Sequence, residues 1–96
     1  MALTKTQYTI TTSNETKTIV SNETGLIYNF NIYNDNNTTN NVKIYIDDDP
    51  DIILYNLTLE SKQTLNFKPD ILLNNETLKV YVEKDGINIV TQILKN

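Results

Sequence analysis

The segment TLKVYVEKDGINIVTQIL, residues 77–94, constrains the fold of this chain more than any other. Two runs rich in β-branched and aromatic residues flank Asp85-Gly86. Asp-Gly between such runs signals a two-residue type I′ turn, because both central positions need positive φ and these residues tolerate it. The expected register sets Lys84 against Ile87, Val82 against Ile89, Val80 against Thr91 and Leu78 against Ile93. One face of that C-terminal β-hairpin is then almost wholly apolar, and the chain reads as all-β.

Period-two alternation recurs upstream. Leu26, Tyr28, Phe30 and Ile32 alternate with Ile27, Asn29, Asn31 and Tyr33. Val42, Ile44 and Ile46 form a shorter stripe, and Ile53, Tyr55, Leu57 and Leu59 another. No comparable window has helical spacing. The pattern predicts strands at 7–12, 17–21, 25–33, 41–46, 52–59, 63–67, 77–83 and 87–94. Polar turns at 34–40, 47–51 and 68–70 separate them. The expected architecture is a single antiparallel β-sandwich of about eight strands, jelly-roll or immunoglobulin-like, spanning 1–96. Residues 1–12 are Thr-rich and weakly apolar, so they fit either the sandwich or an arm exchanged with a neighbour. The tetrapeptide Ser-Asn-Glu-Thr occurs at 13–16 and 21–24, and Asn-Glu-Thr returns at 75–77. Each copy reads as a turn that launches a strand.

Composition narrows the function. The 96 residues carry a net charge of −4, and all eight basic residues are Lys. Without a cationic stripe or any Arg, nucleic acid is not an expected partner. The absence of His and Cys removes the triads, dyads and histidine bases of common hydrolases, and the usual zinc ligands. With Gly25 and Gly86 the only glycines, no Gly-rich phosphate loop can form. The sequence therefore predicts a non-enzyme without a cofactor. The start, Met1-Ala2-Leu3-Thr4-Lys5-Thr6, lacks the basic-then-apolar pattern of a signal peptide. No run is long enough for a membrane span. Synthesis in the cytoplasm without export is expected, and a membrane is not an expected partner.

Two local features invite a functional reading. Asp47, Asp48, Asp49 and Asp51 place four carboxylates in five residues, a candidate calcium site. The loop lacks the glycine and distal Glu of an EF-hand, so a solvated hairpin tip is the plainer reading. Tyr33, Tyr45, Tyr81 and Ile27 fall opposite the clearest core stripe, with Val90 beside them. Such aromatic and apolar side chains suit a protein interface, or a second face half-covered by the N-terminal strands.

The order of these elements resembles that of small phage virion structural proteins. The matching pieces are the alternating strand 25–37 with its Asn-Thr-rich end, 42–46, 53–64, 65–73, and a last hairpin of 78–82 paired with 87–93. Where those proteins often have Gly-Asp, this chain has Asn75-Glu76. The resemblance implies a virion component, a β-sandwich on the head surface or in the tail. Its partners would be a major capsid or tail protein and further copies of itself. Capsid decoration is the leading expectation, and a tail or baseplate subunit the second. A carbohydrate- or calcium-binding module using the acidic turn is the alternative of another class.

Overall fold

The computed structural model describes residues 2–95. Seven antiparallel strands and no helix make up the described residues: β1 (Ala2–Ile10), β2 (Glu15–Asn34), β3 (Asn40–Ile46), β4 (Ile52–Leu59), β5 (Thr64–Phe67), β6 (Ile71–Val82) and β7 (Ile87–Lys95). The all-β class read from the sequence holds. The two strands expected at 17–21 and 25–33 are one 20-residue strand, β2. Residues 71–73, expected as a crossing between sheets, open β6.

The framework is a long antiparallel ribbon. β2 pairs with β5 through Tyr33↔Thr64 to Phe30↔Phe67. It then pairs with β6 from Ile27↔Ile71 to Glu15↔Val82. The β3–β4 hairpin adds to one half of this ribbon through Val42↔Val82 to Ile46↔Leu78. β7, with β1 on its far side, adds to the other half through Leu26↔Leu94 to Asn34↔Ile87.

The ribbon folds over on itself. Tyr55 of β4 and Phe67 of β5 lie four strand places apart along the hydrogen-bonded path. In a flat sheet they would be separated by about 19 Å, at about 4.8 Å per strand. Their ring centroids are 5.1 Å apart, edge to face. Two layers therefore face each other: the N-terminal half of β2 with β6, β3 and β4, and the C-terminal half of β2 with β5, β7 and β1. Between them lies one core containing Phe30, Ile32, Val42, Ile44, Leu59, Leu73, Leu78, Val80, Val82, Ile87 and Ile89. This arrangement is compatible with the expected sandwich.

The C-terminal hairpin is corrected. Val82 lies opposite Glu15 and Val42, and Ile89 opposite Tyr8 and Ile32. β6 has β2 and β3 on its two edges, and β7 has β1 and β2. No edge of either strand is left for the other. Residues 83–86 form an arch that carries the chain from one layer to the next. Gly86 has φ +86°, but Asp85 lacks the positive φ that a type I′ turn needs at both central positions, so that turn does not form. The arch is held by its surroundings: Gly86 N–H donates to Ile10 C=O at 2.8 Å, and Asp35 N–H donates to Gly86 C=O at 2.7 Å. The side chain of fully buried Asn40 both donates to Lys84 C=O and accepts from Lys84 N–H, at 2.9 Å each.

Candidate interaction surfaces

The five residues expected to form one interface do not share a face. Ile27 is 0% exposed and belongs to the core. The reason is a bulge: Ile27 pairs with Ile93 but Asn29 pairs with Gln92, so Tyr28 is an extra residue. Side-chain parity therefore flips between Ile27 and Phe30, and both point inward. Ile27 has no surface to offer a partner.

Tyr45 and Tyr81 lie on the outer face of the β2–β6–β3–β4 layer. Tyr81 stands opposite Lys43, and Tyr45 opposite Lys79. Tyr45 is only 9% exposed. The Lys43 ammonium sits 5.6 Å from the Tyr45 ring and 5.5 Å from the Tyr81 ring. Tyr81 donates its hydroxyl to Asn14 Oδ1 at 2.6 Å. Asn41 donates to Glu83 Oε2 at 2.7 Å and accepts from Thr58 Oγ1 at 2.9 Å. A shallow groove of about 200 Å³ runs between Asn41, Lys43, Asn56, Tyr81 and Glu83. Its amides, carboxylate and tyrosine ring are the groups that hydrogen-bond hydroxyls and stack on a sugar ring.

Tyr33 and Val90 lie on the outer face of the other layer. Paired residues in a ladder share a face, so the registers define four rows across it. Thr9, Asn88, Tyr33 and Thr64 form the first row, and Gln7, Val90, Asn31 and Asn66 the second. Lys5, Gln92 and Asn29 form the third. The last is a row of four leucines: Leu3 on β1, Leu94 on β7, Leu26 on β2 and Leu72 on β6. Leu3 is 53% exposed and Leu72 72%. Lys5 is the one charged residue in the four rows, and the Lys68 ammonium lies beside them, 4.9 Å from the ring of the bulged Tyr28. Leu26 was expected on the core stripe with Phe30; the Tyr28 bulge turns it outward instead. The four leucines come from four separate parts of the sequence, so only the register brings them together.

The acidic turn is the tip of the β3–β4 hairpin, as its plainer reading had it. Its carboxylates are directed to separate partners. Asp47 pairs with the Lys79 ammonium at 3.0 Å. Asp48 accepts from Asp49 N–H at 2.8 Å, and Asp51 from Asp48 N–H at 3.3 Å. Among the described residues, no group of three or more acidic, His or Cys side chains is placed to hold a metal ion.

Fold and surface together define the class: a small antiparallel all-β domain folded into two layers, with an open outer face on each. No family model matches the chain. No curated protein matches it. Among solved structures it is similar to the crystal structure of PirA, with a TM-score of 0.59 over 94% of this chain and 92% of that one. The identity is 8%, so the likeness is one of fold alone.

Proposed function

We propose that this chain is a bacteriophage structural protein, a capsid decoration or head-associated subunit that acts by protein–protein assembly and not by catalysis. The observation that carries this reading is the outer face of β1, β7, β2 and β5. Charged residues make up 21% of the sequence, yet the four rows hold only Lys5. Depletion of charge, with exposed Leu and a Tyr, is the composition of an interface centre and not of a solvated face. The order of strands and turns in the sequence, apart from the closing hairpin and the 71–73 crossing, resembles that of small virion proteins and suggests the particle. The net charge of −4 keeps the free subunit soluble before assembly. On a symmetric lattice many copies act together, so each contact can be modest.

The test is mass spectrometry and immunogold labelling of purified particles made from a genome that carries this gene. Stoichiometric recovery with label on the head supports the proposal. Label on the tail moves the subunit to the tail or baseplate. Absence from the particle ends the virion reading.

The groove at Tyr81 favours a second reading, a carbohydrate-binding module. It would use Asn41, Asn56 and Glu83 to bond sugar hydroxyls, with Tyr81 beneath the ring. A glycan screen returning no ligand that Tyr81→Ala abolishes counts against it.

A further inference from the structure

We propose that the outer face of β1, β7, β2 and β5 binds a second copy of this chain, about a two-fold axis parallel to its strands; this rests on the assembly reading and names the partner of that same face.

Self-complementarity is the first argument. A two-fold operator brings a patch against itself, so each kind of group must be able to bond its own kind. A row of Lys or of Glu cannot. An amide carries both donors and an acceptor, so an amide row can bond its copy. With the axis along the strands, the leucine row lies on the leucine row and the amide rows on the amide rows.

The second argument is that these amides are free. Among the described residues, the side chains of Gln7, Asn29, Asn31, Asn66, Asn88 and Gln92 form no hydrogen bond within the chain. On the opposite outer face Asn41 is engaged with Glu83 and Thr58, and Asn14 with Tyr81. Of the amides on that opposite face, Asn14 and Asn41 are bonded within the chain and, among the described residues, Asn56 is not, whereas this face holds all six of its amides outward.

Charge and area point the same way. Two copies at −4 each repel in general. No carboxylate lies in the four rows, so this is the face on which that repulsion is weakest. β1 and β7 are nine residues long, or about 30 Å. Four strands at about 4.8 Å give a width of about 19 Å. β5 is only four residues long, so the footprint is roughly 500 Å² per partner, about the lower limit of a specific interface.

The experiment is light-scattering gel filtration of the full chain from about 1 to 100 µM, a range that covers the weak end for interfaces of this size. The expected mass is twice 11.0 kDa. Asn31→Asp and Leu72→Asp each set like charges into the contact and should weaken association at least tenfold. Lys43→Gln, on the other outer face, should leave the mass unchanged. Both altered positions reach solvent, and urea midpoints identify any variant that has lost its fold, in which case the other decides. A monomer throughout the range overturns the proposal. So does an oligomer that tolerates both aspartates. Recovery of the protein from particles is scored separately, so a monomer found in virions defeats the pairing without touching the virion reading.

Discussion

Asn22 and Asn75 face each other across the line where the β2–β6 ribbon folds over, both in the left-handed region, at φ 50° and 52°. Each marks a bulge, one on each strand, on either side of the Glu23↔Glu76 pair. The bonding is reciprocal: Asn22 N–H donates to Thr77 Oγ1 at 3.1 Å, and Asn75 N–H donates to Thr24 Oγ1 at 2.9 Å. The repeated Asn-Glu-Thr is thus one device used on two partner strands. It gives each strand an extra residue and tightens the local twist, which lets one ribbon serve both layers.

Substitution at the fold line should follow backbone preference. Asn tolerates the left-handed region, Gly has no penalty there, and a Cβ-bearing alkyl residue costs about 1–2 kcal/mol. Asn75→Gly is expected to leave urea stability within about 0.5 kcal/mol, near the usual limit for surface changes. Asn75→Ala is expected to lose about 1 kcal/mol or more. Equal effects from the two would mean that the conformation at residue 75 is not left-handed.

The arch at 83–86 makes a prediction that a hairpin would not. Asn40 is fully buried and holds both the N–H and the C=O of Lys84. Asn40→Ala leaves buried groups unpaired and should cost about 1–3 kcal/mol. Gly86→Ala strains a φ of +86° and brings a Cβ to 3.2 Å from Asn36 N, and should cost a similar amount. In a free hairpin Asn40 would touch nothing at the turn, and its truncation would be silent in a urea titration.

Alternation identified most of the buried side chains but not their neighbours. Leu78, Val80, Val82, Ile87, Ile89 and Ile93 are all in the core, as the stripe predicted. They meet across the core and not edge to edge. A period of two reports which way a side chain points, and both arrangements point it inward. The sequence also hides the bulges. One extra residue reverses every later side chain, which is why Ile27 is buried and Leu26 is not. The same happens on β4, where Ile44↔Tyr55 is followed by Tyr45↔Ile53 and Leu54 is skipped, so Ile53 turns to solvent. The leucine row had no local signal at all.

The ion pair between Lys79 and Asp47 ties β6 to the β3–β4 hairpin tip. Its hydrogen bond, and then its charge, hold the Lys79 ammonium above the usual lysine value. A raised lysine pKa gives a contribution that is complete below the unfolded value of about 10.4 and fades as pH rises through the folded one. NMR titration should find Lys79 deprotonating later than a lysine of the unfolded chain, and Asp47→Asn should remove most of the difference. On the alkaline side, the tip should loosen as pH rises through the raised Lys79 value.

Thr91 is the polar exception on the inner stripe of β7. It is 0% exposed, flanked by Ile89 and Ile93, and stands opposite Phe30 and Thr6. Its C=O accepts from Thr6 Oγ1, but its own Oγ1 has no partner in the protein among the described residues. A buried hydroxyl without a bond is destabilising by about 1–3 kcal/mol. Valine keeps the β-branched shape and replaces that hydroxyl by a methyl. Thr91→Val is therefore expected to raise the urea midpoint, by about 1 kcal/mol in stability, with an unchanged m-value. Thr91→Ala should lower it, because it leaves a cavity beside Phe30. If Val proved less stable than Thr, the hydroxyl would have to be bonded in solution, and the packing between β7 and β2 would differ from that described.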